Sequence, residues 1–379
     1  MAGDSVVVML AGRPFAGWLR VEITQTFDKA SGEGTLEISE QPGNPMPADV
    51  GDTVVIILAG RPVLTGHVHA VDATHDFKTH TIRMTLRDKT QDLVDSTIGP
   101  KVEFRPETTL KKVAEGTLKK MGLSSIKVID KANPDPYRKG GEMPVGAIDM
   151  LGHDWLDAWA KRRQVVLTTD GKGNLVIDRN TKRRLGGFLM KTFEDSPNNN
   201  IKKAAYQNSD FGRHNEHNCA GQKSTTDPDW ENHDKGYAPA RAEPISNNVR
   251  KALDSSVRKE RKLHFRGVAG IEGKTPEDAA KWRANLARAR KYTFNATVAG
   301  FTCQSGELWW PGYVIPVRDD HFQISDELFI KEVKFTKDWD GGAETEIHCT
   351  FGDAYSDKSE AGKSRTGKGG LGAKPSGSY

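Results

Sequence analysis

The sequence predicts an α+β fold that is mostly β: two antiparallel barrel-like domains with a small α+β domain inserted between them. Three observations carry that expectation. A β-branched run closed by Gly-Arg-Pro occurs twice near the start of the chain. The apolar spacing turns helical after Pro106. Alternation of apolar and polar residues then returns and dominates residues 186–355. The expected domains are 1–95, 96–185 and 186–355, followed by a polar tail over 356–379.

The first domain is read from an internal echo. Val6 to Pro14 (VVVMLAGRP) recurs as Val54 to Pro62 (VVIILAGRP), an offset of 48 residues from Leu10 to Leu58. An apolar run, a Gly-Arg-Pro break and a second run predict a hairpin in each copy. Leu19, Val21 and Ile23 alternate with Arg20, Glu22 and Thr24, which marks a strand with one buried face. Val68, Ala70 and Ala73 interleave with His67, His69 and Asp72 in the same way. Thr35 to Ser39 and Thr79 to Leu86 supply further strands. Two hairpins are too few for a solenoid, so the segment reads as one β domain with pseudo-symmetry.

In the middle, Leu110, Val113, Leu118 and Met121 share a helical face, and Gly122 stands where a glycine would end the helix. A second helix is expected from about Ala147 to Arg163, with Met150, Leu151, Trp155 and Trp159 on one side. Gln164 to Thr169 and Leu175 to Asp178 read as strands around an Asp170–Asn174 turn. Beyond residue 186, strands are expected at Ala204 to Asn208, Lys262 to Arg266, Tyr292 to Ala299, Tyr313 to Val317, Leu328 to Phe335 and Glu344 to Phe351. Asp340-Gly341-Gly342 makes the last hairpin turn. Asn218 to Asn247, rich in Asp, Asn, Gly and Pro, reads as a long excursion. Thr275 as N-cap, Pro276 at the first helical position and Asp278 in a capping-box position predict a helix running to about Tyr292. The tail holds only Leu371 and Tyr379 as sizeable apolar residues, too few to offset its chain entropy, and reads as a flexible basic segment.

Charge and composition narrow the function classes. With 55 basic against 51 acidic residues the chain is nearly balanced, which argues against a basic-patch nucleic-acid binder. No apolar run reaches the ~18 residues of a membrane span, so no membrane anchor is expected. Val6 to Ala11 follows Asp4 and lacks a basic flank, so it is not read as a secretory signal. Cys219, Cys303 and Cys349 are odd in number and far apart, which suits a reducing cytosol and no disulfide framework.

No motif assigns a catalytic, cofactor or metal residue. His214, His217 and Cys219 are the best metal candidates, but their spacing matches no standard zinc pattern and the segment reads as polar loop. His67 and His69 share one strand face, where exposed histidines are the common outcome. Gly270 to Thr275 resembles a phosphate loop, but Val268 stands where that loop needs glycine, and helix capping accounts for the same residues. There is no GxSxG elbow, and scattered carboxylates cannot be paired from sequence. Trp309 and Trp310 are the candidate interface residues. Neighbours on an extended segment point to opposite faces, which leaves one for the core and one for a partner.

Leu10 to Trp18, Leu86 to Leu93 (LRDKTQDL), and Gly306 to Pro311 (GELWWP) with the strands that follow to Phe351 resemble the baseplate hub of the Mu-like contractile-tailed phages. Related hubs are the T4-like hub, the late control protein of P2-like phages and the N-terminal part of type VI secretion spikes. The resemblance implies structural work without enzymatic activity or cofactor. It implies a homotrimer in ring form whose two barrel-like domains per subunit present six similar units. Such a ring joins a three-fold central spike to a six-fold tail tube, contacts other baseplate (wedge) proteins, and surrounds the channel for the tape-measure protein and DNA. The implied location is the virion tail baseplate, after synthesis in the bacterial host cytoplasm. Competing readings are a tail-associated peptidoglycan hydrolase, a hub-like component of a type VI secretion spike or contractile bacteriocin, and a carbohydrate- or nucleic-acid-binding module. The excursion over 218–247 is longer and more polar than the resemblance leads one to expect.

Overall fold

The computed structural model describes residues 4–39, 47–75, 80–99, 108–137, 149–220, 249–266 and 276–356. The expectations for most of 218–247, for the phosphate-loop-like stretch, for Thr275 and for the tail past Ser356 fall outside them.

The first region runs β1 (Val6–Leu10), β2 (Arg13–Phe15), β3 (Trp18–Thr26), β4 (Glu33–Ser39), β5 (Thr53–Leu58), β6 (Arg61–His75), β7 (His80–Asp88) and α1 (Gln91–Asp95). The middle holds α2 (Leu110–Lys120), β8 (Val128–Asp130), α3 (Gly152–Arg162), β9 (Val166–Thr169) and β10 (Leu175–Asp178). The last region adds β11 (Leu189–Lys191), β12 (Ile201–Asn208), β13 (Glu216–Ala220), β14 (Val249–Leu253), β15 (Lys262–Arg266), α4 (Pro276–Ala289), β16 (Tyr292–Ala299), β17 (Val314–Asp319), β18 (Ile324–Asp338) and β19 (Ala343–Phe351).

The echo folds onto itself. Ala11 (φ 49°) and Gly12 (φ 76°) make the first hairpin turn, Ala59 (φ 48°) and Gly60 (φ 75°) the second. Two successive positive φ values match the right-handed strand twist. Strands β1 and β5 pair antiparallel with Val8 opposite Ile56, its own counterpart in the repeat. A local two-fold axis therefore passes through that pair.

Among the described residues, thirteen strands form one sheet in the order β12-β16-β19-β18-β3-β4-β7-β6-β5-β1-β2, with β17 on β18 and β11 on β17. Barrel closure is not seen there: the path ends at β12 and β2. The sheet contains one arrangement twice. The order β3-β4-β7-β6-β5 matches β12-β16-β19-β18-β17 strand for strand. The long members β6 and β18 both change partner midway, β6 from β5 to β7 alone and β18 from β17 to β3. The bulges coincide. One falls between Trp18 and Arg20 on β3 and between Ile201 and Lys203 on β12. The other falls between Val68 and Ala70 on β6 and between Ile330 and Glu332 on β18. A bulge adds one residue and bends its strand, so coincident bulges mean coincident bends. The first also turns Leu19 outward, 43% exposed, against the expected alternation.

Both units share one apolar core, which includes Val8, Ile23 and Ile56 from the first and Phe294, Phe335 and Ile347 from the second. Each such fully buried side chain contributes about 1.5–3 kcal/mol. A second core joins Leu110, Val113, Trp155, Trp159, Leu167 and Ile177 in the middle region. Helix α2 ends as its sequence predicts: Leu123 N–H bonds Leu118 C=O and Gly122 N–H bonds Lys119 C=O, with Gly122 at φ 77°. Helix α3 starts at Gly152, later than expected, because Leu151 is held extended in a bridge to Thr97. Helix α4 ends at Ala289, short of Tyr292, which opens β16. Residues 216–220, expected as loop, are the central strand of a small β14-β13-β15 sheet.

Candidate interface surfaces

Trp309 is 1% exposed and belongs to the main core, with its Nε1 lacking a partner. Trp310 is half-buried and reaches the β9–β10 turn. A Cβ on Gly171 would stand 2.9 Å from Trp310 Cη2 and 2.7 Å from Val63 O, and Gly171 sits at φ 73°. Glycine is what allows that approach. The tryptophan pair therefore splits into a core residue and one that packs on the middle region of its own chain.

The same seam holds Asp88, the last residue of β7. Its carboxylate accepts from Thr169 Oγ1 at 2.8 Å, while Thr65 Oγ1 donates to Gly171 O at 3.0 Å. Burial pushes the Asp88 pKa up to about 7, with hydrogen bonds from Thr169 and Thr90 opposing and Asp170 adding to the rise.

The metal candidates lie on or beside β13. The His214 and His217 rings are 5.7 Å apart, and Cys219 is buried. Burial, then the nearness of His214, pushes His217 down to about 4, so it is neutral at pH 7. Arg213 and Asp254 form a buried pair at 2.7 Å, and Asn215 Nδ2 donates to Asp254 O and Val257 O. Among the described residues no group of three or more His, Cys, Asp or Glu could hold a metal ion. His67 is half-buried and His69 exposed. No described helix is long and apolar enough to cross a membrane.

Among the described residues, the most exposed large aromatic side chains escape the sequence reading: Phe193 at 72%, Phe211 at 74% and Trp339 at 62%. Trp339 packs edge-on against Trp18, 5.5 Å between centroids. Its Asp-Trp-Asp-Gly-Gly setting reads only as a turn.

The joint between the two units is a strand pairing. Strand β18 pairs with β3 over seven positions, from Glu332 opposite Thr26 to Asp338 opposite Arg20. Its buried face sets Ile23 against Phe335 and packs Val21 and Val333 beside them. Its open face carries Arg20, Glu22 and Lys334, with Glu22 bonded to Arg20 at 2.5 Å and to Lys334 at 3.2 Å.

Comparison with known proteins agrees with this architecture. Residues 5–88 match the family model "Mu phage baseplate assembly protein GpP-like, N-terminal", and residues 287–350 match "Tail protein, C-terminal domain". The baseplate hub protein of Escherichia phage Mu is 20% identical over 349 residues, 91% of this chain and 87% of that one. The 43 kDa tail protein of the Shewanella oneidensis prophage MuSo2 is 25% identical at TM-score 0.73, covering 93% of this chain and 99% of that one. At the level of fold alone, a Neisseria meningitidis tail protein (18% identical, TM-score 0.77, 94% and 99% covered) and an E. coli type VI secretion component (11%, 0.52, 90% and 76%) share the arrangement. The chain is homologous to the phage Mu baseplate hub and to Mu-like tail proteins.

Proposed function

We propose that this chain is the baseplate hub of a contractile phage tail, a homotrimeric ring that joins a three-fold spike to a six-fold tube around the passage for tape-measure protein and DNA. The observation that carries this reading is the repeated five-strand unit. One chain holds two like units side by side, so three chains would offer six, which meets three-fold and six-fold partners at once. The two family matches support it, since each falls within a different unit. On this reading residues 1–95 and 186–355 are the two hub domains, 96–185 is the α+β domain between them and 356–379 is a tail. The role is structural. Trp310 remains a candidate contact residue through its exposed part, and spike, tube, tape-measure and wedge proteins are the proposed partners in the virion.

Light scattering on the purified chain tests the ring. A mass of about 125 kDa, three times the 41.7 kDa of the chain, supports it. A chain that stays at 41.7 kDa at every concentration, alone and with its spike protein, removes it. A type VI or bacteriocin spike component is the second reading, because the fold is shared; particles that contain the chain together with a genome-filled head would decide for a phage.

A further inference from the structure

The small β14-β13-β15 sheet and α4 stand between β12 and β16 of the second unit. Strand register assigns the two faces of that sheet, because paired residues put their side chains on the same side. His217 lies opposite Ala252 and Leu263, and Cys219 opposite Arg250 and Phe265. Cys219 and Ala252 pack with Ala280 and Ala284 of α4, so the helix covers that face. The other face sets Leu253, Glu216 and Lys262 in one row and Lys251, Asn218 and His264 in the next. Val249 continues the β14 column. On this face Val249 is 39% and Leu253 42% exposed, and Lys251, Lys262 and His264 are exposed. The two apolar side chains flank Lys251 at about 6.6 Å on either side.

The near-even charge of the whole chain hides a local excess here. Residues 249–265 hold six arginines and lysines against only Asp254 and Glu260. Asp254 is taken up by buried Arg213 at 2.7 Å, and Glu216 faces Lys262 at 3.6 Å. Arg250, Lys251 and Lys259 are exposed and, among the described residues, have no acidic partner. Arg258 and Arg261 both reach Asp210, at 3.7 and 3.5 Å. The next residue, Phe211, is 74% exposed, with Lys291 Nζ 5.3 Å from its ring centroid. Gly212, at φ 72°, turns the chain directly after it. A protruding ring thus stands among cations that run through Arg261 and Lys262 onto the open sheet face.

Charge and apolar side chains protrude together on this surface. A nucleic-acid duplex would meet the cations with its phosphates but would leave Phe211, Val249 and Leu253 in water. An anionic bilayer takes both: the cations stay at the headgroups, and the apolar side chains enter the acyl boundary. We propose that this face of the small sheet, with Phe211 beside it, docks onto an anionic phospholipid surface. The chain then lies on the membrane without crossing it. The inference goes beyond the proposed ring and does not depend on it.

The test is flotation of the full chain with vesicles of phosphatidylcholine alone and of phosphatidylcholine and phosphatidylglycerol in equal parts. The expected result is co-flotation with the anionic vesicles only, weakening as salt rises. Lys251→Gln with Lys259→Gln should weaken it about tenfold or more. Phe211→Ser with Leu253→Ser, which changes no charge, should weaken it several-fold. All four positions are exposed, and an unchanged circular dichroism spectrum checks that each variant folds. Absence of co-flotation at low salt overturns the proposal. So does co-flotation that survives both of these variants but is lost in Lys363→Gln with Lys368→Gln, which places the contact in the basic tail. Retention on a DNA duplex, with neither ligand affected by Phe211→Ser and Leu253→Ser, also overturns it and makes the face a nucleic-acid site. Light scattering on the same samples keeps the ring separate. A trimer that does not float removes this inference alone, and a monomer that floats removes the ring alone.

Discussion

The two five-strand units share strand order and bulge positions, but their side chains differ at the positions that meet, or lack, a neighbouring strand. Position by position, Ile23 answers to Tyr206, Ala73 to Phe335, Glu22 to Ala205 and Asp88 to Phe351. The first unit is extended by the β1–β2 hairpin, and the second carries β13, β14, β15 and α4 between β12 and β16. Pairing geometry is therefore what the repeat preserves. Side chains differ according to what each edge meets: large and apolar where β3 covers β18, small and open where, among the described residues, the outer half of β6 has no strand on its second side.

The strongest way to break this comparison is at matched positions. Phe335→Ala empties a fully buried site in the shared core and should cost about 3–5 kcal/mol, read as a lower denaturant midpoint. Ala73→Ser, at the matching place in β6, should leave the isolated chain within about 0.5 kcal/mol of the parent, because Ala73 is exposed. Equal losses at both sites would mean that the units are not packed as their strand order implies.

Asp88 sharpens the comparison through pH. Its counterpart Phe351 also ends its strand and is 8% exposed, so the first unit buries an acid where the second buries a ring. The folded carboxyl titrates near 7, raised first by burial, whereas the unfolded one titrates near 3.8. The folded state thus holds its proton more tightly. This contribution is fully present below 3.8 and is lost as pH rises to 7. Asp170 is the charged group acting on it from the β9–β10 turn. Up to about 4 kcal/mol should drain from the chain across that window. Asp88→Asn should flatten this limb in denaturant titrations at successive pH values. An unchanged slope would mean that the carboxyl is solvated.

Much of this architecture is legible in the sequence where the signal is local. The Val6 and Val54 runs announce their hairpins because each turn needs two positive φ values and each strand alternates about it. The five-strand repeat is not legible, because Ile23 and Tyr206, or Phe335 and Ala73, differ widely in size, and the matched strands share too few identical residues to register as a repeat; the pairing reveals it. Strand β13 was missed for a different reason. Its His217, Asn218 and Cys219 are all buried, and its partners β14 and β15 are brought from beyond residue 248, so neither alternation nor local turn chemistry marks it. The tryptophan pair was legible as a split between core and surface. Its outer member meets Gly171 of a distant turn, which spacing alone cannot reveal.

The smallest expected effect lies on the polar face of the joint. Glu22 bridges Arg20 and Lys334, whose side chains are 39% and 36% exposed. Its pKa is lowered although burial alone would raise it, because Arg20 and Lys334 hydrogen-bond and attract the carboxylate. Ion pairs this open contribute about 0–1 kcal/mol, and salt screens them further. The second unit has Ala205 at the matching place, and β12 still pairs with β16, so pairing within a unit needs no charge there. Glu22→Gln should therefore cost no more than about 1 kcal/mol at low salt and less at high salt. A loss as large as that of Phe335→Ala, unmoved by salt, would mean that charge rather than the Ile23–Phe335 contact holds β3 to β18.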